Sequence, residues 1–300
     1  MPAIGELVIS ILSTSFTLTM PILFASIGEV YAERSGVLNM GIEGVMSLAA
    51  FVSLWVTFST GSLLYGLIAA IVAGAAMGVL HSFLTVKIGI NQLIAGLLIF
   101  SLATGIADFS YRTLTAHSFP VVRPLQPVLF GQTILVYASF AVAIVLGLVL
   151  YKTTWGLEIR AVGENPEAAD AAGINVNRVR NLCVILGAIL AAVGGASLVI
   201  GYLGLYNTGD TLVAGRGFIA IVVVIFAGWS PYKAIAGSWL FGLGYATAAT
   251  FIGSGIFSSL GPGTGYFLLA IPYMLAIVFI LVFHRGTKSP SSLTVPYKRK

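Results

Sequence analysis

The sequence predicts an all-α integral membrane protein: about nine transmembrane helices in a single domain over residues 1–300, in two inverted-topology halves with interrupted helices. Three observations carry this. Only 8% of the 300 residues are charged and 58% are hydrophobic, with a mean hydropathy of +1.01, whereas a soluble domain is about 25% charged. Nearly uncharged runs of roughly 17 to 25 residues recur, the length a helix needs to cross about 30 Å of hydrocarbon, without the alternating ten-residue segments of a membrane barrel. Two glycine-rich stretches that carry charge, 28–44 and 204–217, follow the first and the sixth run. Those two runs point in opposite directions, the trace left by an inverted repeat.

The predicted spans are 7–28, 36–58, 62–86, 90–111, 132–151, 181–203, 213–229, 234–253 and 265–284. The first follows Glu6 with no Lys or Arg ahead of it, so it lacks the positive n-region of a cleavable signal and reads as a retained helix. Lys and Arg accumulate on the cytoplasmic side of membrane proteins. With the C-terminus inside, Arg34, Lys87, Lys152, Arg160, Arg178, Arg180, Lys233, Arg285, Lys288, Lys298, Arg299 and Lys300 fall inside, against Arg112, Arg123 and Arg216 outside. A nine-span chain then begins outside. The same bias accounts for the net charge of +5, and the basic end YKRK reads as an anchor to membrane lipid headgroups, with no nucleic acid partner.

Residues 28–44, GEVYAERSGVLNMGIEG, place Glu29, Glu33, Arg34 and Glu43 between two apolar runs. A Glu or Arg in mid-helix costs roughly 2.5 to 3.5 kcal/mol and a Leu returns only about 0.5, so a lipid-facing helix is excluded here. Two readings remain, a cytoplasmic loop or irregular backbone buried inside the bundle. Glycines 28, 36, 41 and 44 and the turn-prone Asn39 favour a broken helix over a continuous one. Glu29 and Glu33 stand one turn apart and share a face. The counterpart GLYNTGDTLVAGRG, 204–217, carries Asp210 and Arg216 and also precedes an apolar run.

The longest polar stretch is the cytoplasmic loop 152–180, KTTWGLEIRAVGENPEAADAAGINVNRVR. It holds a small helix with both ends marked. Asn165 is a good N-cap, Pro166 fits the first helical position, Glu167 and Asp170 suit the positive helix start, and Gly173 supplies a left-handed end. About two turns result, too short to be stable alone in water. The small surface of Ala168, Ala169, Ala171 and Ala172 favours docking into a partner groove over a solvated connector.

Here the sequence resembles a known family. Glu167, Ala168, Ala169 and Gly173 match the Glu-Ala-Ala-to-Gly signature of the coupling helix in ABC importer permeases, and GINVNRVR after it is similar to the version in the branch serving ribose, branched-chain amino acids and nucleosides. ERSGVLNMGIEG and AGRGFIAIVVVIFAGWSPYKA at 214–234 resemble the same branch, closest to nucleoside or simple-sugar permeases. Related ribose permeases carry an additional N-terminal span; by the span count above, one span fewer is expected here. The resemblance implies one permease domain that forms the translocation pathway and couples through Asn165, Pro166, Glu167, Ala168, Ala169 and Gly173 to a separate ABC ATPase subunit. It further implies a second, non-identical permease, an extracytoplasmic substrate-binding lipoprotein and a place in the cell's inner membrane. ATP is then used by the partner, and no cofactor is bound by this chain: no G-x-x-x-x-G-K-[ST] phosphate loop is present.

Candidates for the substrate pathway are Glu29, Glu33, Asn39, Glu43, Asn91, Gln92, Asp210 and Arg216. Sugars and nucleosides call for neutral donors and acceptors, which Asn39, Asn91 and Gln92 provide. The competing reading is structural: these groups satisfy broken-helix backbone, or Glu33 pairs with Arg216. Asp108 and Arg112, one turn apart near a helix end, read as an interfacial ion pair. Arg123, with Pro120, Pro124 and Pro127, lies in the outer loop 113–131, either a docking site for the binding protein or a rigid connector. Trp55, Trp155, Trp229 and Trp239 read as interface anchors, and Ala70, Ala73, Gly74, Ala75 and Gly78 as a close-packing helix face. His81, His117 and His284 are scattered and Cys183 is alone, so no metal site, disulfide or catalytic constellation is expected, and a membrane enzyme ranks last. An ion-coupled secondary transporter is the other alternative, but it requires carboxylates inside the spans. After residue 43 only Asp108 meets that requirement.

Overall fold

A computed structural model of the chain describes residues 4–114, 120–206, 212–255, 264–283 and 288–297. It is built from α1 (Ile4–Arg34), α2 (Ile42–Thr60), α3 (Leu63–Ser82, continued by a π-helical turn Phe83–Ile88), α4 (Gln92–Leu114), α5 (Ile134–Lys152), α6 (Thr154–Glu164), α7 (Pro166–Ala171), α8 (Val176–Leu198, continued by a π-helical turn Val199–Leu203), α9 (Arg216–Phe226), α10 (Pro231–Ser254), α11 (Thr264–Leu269) and α12 (Ile271–Phe283). Among the described residues seven helices are long and apolar enough to cross a membrane: 5–34, 42–60, 63–88, 92–114, 134–152, 176–203 and 231–254. Among the described residues the only pairing of strand type is an isolated bridge between Leu129 and Gln132. The chain is an all-α integral membrane protein.

Two of the nine expected spans take another form. The seventh, 213–229, shrinks to α9, whose 11 residues rise only about 16 Å, half the hydrocarbon thickness. Ala214 and Gly215 ahead of it have φ of +49° and +74°, which no right-handed helix accommodates. The ninth is divided at Ala270 into α11 and α12, next to Pro272, which has no N–H to continue a helical ladder. The loop 152–180 also holds more than the one helix expected. Its first part folds into α6, which buries Gly156, Ile159, Val162 and Gly163 on one side, an amphipathic spacing masked by the charges on its other face.

α1 and α8 form the centre and run antiparallel. Gly28 faces Gly187, Pro21 faces Gly194, and Met20 faces Gly201. The backbones touch: a Cβ on Gly28 would lie 2.6 Å from the Gly187 carbonyl oxygen. α8 meets α2 in the same way, with Gly195 against the carbonyl of Met46, and meets α3 where Gly74 and Gly78 face Ala192 and Ala188. Lipid is as apolar as Leu, so helices in a membrane associate through such close packing and through hydrogen bonds. α2 and α8 are the most buried spans, and α3 and α4 the most exposed. Leu64, Ile68 and Val72 on α3, with Leu93, Leu97 and Leu98 on α4, present apolar side chains outward.

Gly187→Leu should overpack the α1–α8 crossing and lower stability by about 1–3 kcal/mol. Gly105→Leu, at a position where a Cβ meets nothing within 4 Å, should be neutral. Thermal unfolding of the two variants in the same detergent checks the contrast.

Candidate functional site

α1 ends in a hydrogen-bonded left-handed turn. Val37 N donates to Ala32 O (3.0 Å) and Gly36 N to Glu33 O (2.9 Å), with Gly36 at φ +94°, the geometry that closes a helix C-terminus on glycine. Residues 35–41 then run irregularly, buried except for the half-buried Leu38 and Met40, until α2 begins at Ile42. Their polar groups are met by side chains. Leu38 N donates to Gln92 Oε1 (2.7 Å), Gln92 Nε2 donates to Gly36 O (3.1 Å), Asn39 N donates to Glu29 Oε1 (2.8 Å), and Gly41 N donates to Asn39 Oδ1 (3.0 Å). His81 Nε2 lies 3.3 Å from Leu38 O. Irregular backbone is tolerated in a membrane domain only under such shielding.

The break is narrower than the charges in 28–44 suggested. Glu29 and Glu33 belong to a continuous α1, not to the interruption, and are buried at 0% and 1% exposure. Neither makes an ion pair among the described residues. The expected alternative of Glu33 pairing with Arg216 does not form: Glu33 Oε2 accepts from Trp229 Nε1 (2.5 Å). Trp229 is therefore no interface anchor. It is buried in the turn between α9 and α10 at φ +54°, and Arg34 grips the same turn, donating from Nε to Trp229 O (2.9 Å) and from Nη2 to Gly228 O (3.2 Å).

The second break leads from the end of α8 to α9. Glu43, in the first turn of α2, turns its carboxylate onto the start of α9: Oε1 accepts from Gly215 N (2.7 Å) and Oε2 from Gly217 N (2.6 Å). One anion thus serves two helix N-termini, each carrying partial positive charge. A Cβ on Gly217 would come 2.7 Å from Glu43 Cα, so only glycine permits this approach. Arg216 Nη1 donates to Leu212 O and Val213 O (2.9 Å each), and its guanidinium lies over the Tyr245 ring at 4.2 Å. Tyr245 and Tyr273 both donate to Ala214 O (2.9 and 2.6 Å).

The candidate pathway residues therefore separate. Glu29, Asn39 and Gln92 meet at the first break; Glu43 and Arg216 meet at the second. Glu33 reaches the α9–α10 turn. Asn91 is exposed and caps α4, accepting from Leu93 N and Ile94 N. Asp210 lies outside the described residues. Asp108 accepts from Tyr206 Oη (3.4 Å), which also bonds Ser47 Oγ (3.0 Å). No local spacing marks Trp229 and Tyr245 as site residues.

In the loop 152–180 the capping chemistry forms as the residues dictate. Asn165 Oδ1 accepts from Ala168 N (3.0 Å) with Pro166 in the first turn of α7, and Gly173 takes φ +88° at its end. Ala169 is buried, while Glu167, Ala168, Ala171 and Ala172 are exposed. Beside α7 a groove of about 550 Å³ is lined by residues including Trp155, Glu158, Gly173, Asn175 and Arg178.

Glu43→Ala would leave the buried Gly217 N–H and the half-buried Gly215 N–H without an acceptor, the buried one costing about 1–3 kcal/mol. The expected result is a large loss of thermal stability in detergent, with Glu43→Gln intermediate because one acceptor oxygen survives.

Comparison with known proteins places this architecture. Residues 11–283 match the family described as the permease component of the branched-chain amino acid transport system. The chain is 37% identical over 237 residues to the putative glucose ABC transporter permease TsgC13 of Haloferax volcanii, covering 74% of this chain and 71% of that protein. It is 31% identical over 307 residues to the nucleoside ABC transporter permease NupC of Lactococcus lactis (92% of this chain, 93% of that protein). It is 31% identical over 303 residues to the guanosine ABC transporter permease NupQ of Bacillus subtilis (92% of each). A buried double break, a capped loop helix and a match across nearly the whole chain lead to one conclusion: this multi-pass membrane protein belongs to the family of branched-chain amino acid transport system permease components, and is an ABC transporter permease subunit and not an enzyme.

Proposed function

We propose that the chain is one transmembrane permease domain of an importer for nucleosides or simple sugars, driven by ATP that a separate ATPase subunit hydrolyses. The observation that carries the coupling is α7. It is capped at both ends and exposes Glu167, Ala168 and Ala171, and it is joined through α6 to the end of α1, where Gly163 abuts the carbonyl of Arg34. Asn165, Pro166, Glu167, Ala168, Ala169 and Gly173 form the docking element for the ATPase. The names of the relatives support a neutral, hydroxyl-rich solute.

In this reading the route passes the meeting point of the two breaks, with Glu43, Arg216, Asn39, Gln92 and Asp210 along it, Glu29 and Glu33 bracing the α1 side, and Asn91 at the cytoplasmic mouth. A second, non-identical permease and lipid share the outward apolar rows of α3 and α4. A substrate-binding lipoprotein delivers cargo to the outer loop, where Arg123 and Pro124 border a groove of about 690 Å³. The charge bias sets the N-terminus outside and the C-terminus in the cytoplasm of the cell, with the inner membrane as location. An ion-coupled carrier would also use buried carboxyls such as Glu29 and Glu33, and the same experiment decides between the two.

A tagged copy extracted from native membranes in mild detergent should bring ATP hydrolysis with it. Glu167→Arg, which sets a cation at the positive start of α7 and on its docking face, should reduce the co-purifying activity about tenfold or more. Wild-type protein that comes out without hydrolysis, under conditions that keep other multisubunit transporters intact, would sink the ATP reading. Uptake of guanosine or glucose that is normal in Glu43→Gln, with unchanged assembly, would remove Glu43 from the route.

A further inference from the structure

The most buried cation in the described structure has no role in the reading above. Arg180, in the second turn of α8, is 2% exposed and heads the fully buried large side chains. No carboxylate among the described residues pairs with it. Its guanidinium donates from Nε to Ser35 O, from Nη1 to Val295 O and from Nη2 to Ser292 Oγ, each at 3.1 Å. A charge buried without a counter-ion is unfavourable unless its donors are placed on acceptors. Here one acceptor is a carbonyl at the C-terminal end of α1, where the helix dipole is negative, and the other two belong to the segment 288–297 that follows α12.

That segment is bonded in turn to the end of α6. Ser292 N donates to Gly163 O (3.0 Å), Ser292 Oγ donates to Gly163 O (2.8 Å), and Ser291 Oγ donates to Glu164 Oε1 (2.6 Å). Glu164 immediately precedes Asn165, the cap of α7. Leu293 and Tyr297 pack on the cluster that contains Tyr31, Ile159, Val179 and Trp229. Two glycines bring the parts into contact. A Cβ on Gly36 would lie 2.5 Å from Ser292 Oγ and 2.7 Å from Arg180 Nη2, and one on Gly163 would strike Arg34 O.

We propose that residues 288–297, held by Arg180, form a strut that ties the α6–α7 loop to the α1 break, and that Arg180 is a positioning residue for coupling ATP hydrolysis to transport. Contact between Gly163 and Arg34 transmits a push from the loop to α1 but cannot transmit a pull. The bonds from Gly163 through Ser292 and Arg180 to Ser35 resist separation, so they return α1 when the loop recedes. A pathway that opens and closes once per cycle needs both directions. This proposal rests on the assignment of α7 as the ATPase contact.

The test measures two quantities in one preparation: uptake of guanosine and of glucose into vesicles holding the complete complex, and ATP hydrolysed by those vesicles. Arg180→Ala, and a chain ending at residue 287, should keep hydrolysis while uptake per ATP falls roughly tenfold or more, the scale of lost hydrogen bonds to a charged group. Arg180→Lys should recover part of that ratio. In the full-length pair Glu164→Cys with Ser291→Cys, closing the disulfide should leave the ratio at its wild-type value, because the strut stays docked throughout the cycle. The strut is overturned if Arg180→Ala keeps the wild-type ratio, or if oxidation of the cysteine pair stops uptake and reduction restores it. Should Arg180→Ala and the shortened chain fail to assemble, the cysteine pair alone decides. Absence of hydrolysis from the wild-type complex would instead overturn the ATPase assignment and the strut together, which separates the two failures.

Discussion

Hydrocarbon offers a peptide N–H or C=O no partner, so a chain that leaves its helix inside a membrane domain must find every missing bond within the protein. Much of this structure follows from that constraint at residues 35–41. Glu29, His81, Gln92 and Arg180 come from α1, α3, α4 and α8, and each contacts or bonds a backbone atom of the break. Those four helices can converge there only because their crossings are lined with glycine and alanine. Gly28 against Gly187, and Gly74 and Gly78 against α8, let backbones approach to contact. The polar site and the small-residue packing are two parts of one solution.

The second break is solved differently and leans on the first. Its free N–H groups at the start of α9 are met by the Glu43 carboxylate, at the start of α2, and its strained carbonyl at Ala214 is met by Tyr245 and Tyr273. The two interrupted regions are therefore joined through a single anion. A displacement of α2 has to carry the start of α9 with it or expose buried donors. The other end of α9 is tied to α1 through Glu33, Arg34 and Trp229, so the short helix is held at both ends by the first half of the chain.

The last turn of α1, at Arg34, is a junction. Arg34 and its neighbours touch the α9–α10 turn, the end of α6 and, through Arg180 and Gly36, the segment 288–297. The loop that carries α7 meets the core along the buried side of α6 and at Ala169 of α7.

The sequence by itself determined what depends on neighbours within a few residues. The caps of α7 at Asn165 and Gly173, the turn at Gly36, the apolar length of most spans and the close-packing face of α3 are local matters of side-chain reach, φ and helical spacing. Composition determined that the protein lies in a membrane. Tertiary structure decided which distant groups meet. Glu43 bonds a residue 172 positions away, Arg180 one 145 away, and Glu33 finds Trp229 at 196. No pattern along the chain encodes those separations, because they are set by which helices pass close enough for their backbones to touch. Tertiary structure also reduced span 213–229 to a half-length helix, since its first residues are drawn into positive φ by partners in α2, α10 and α12. A hydropathy profile registers the apolarity of that segment but not the carboxylate that waits at its start.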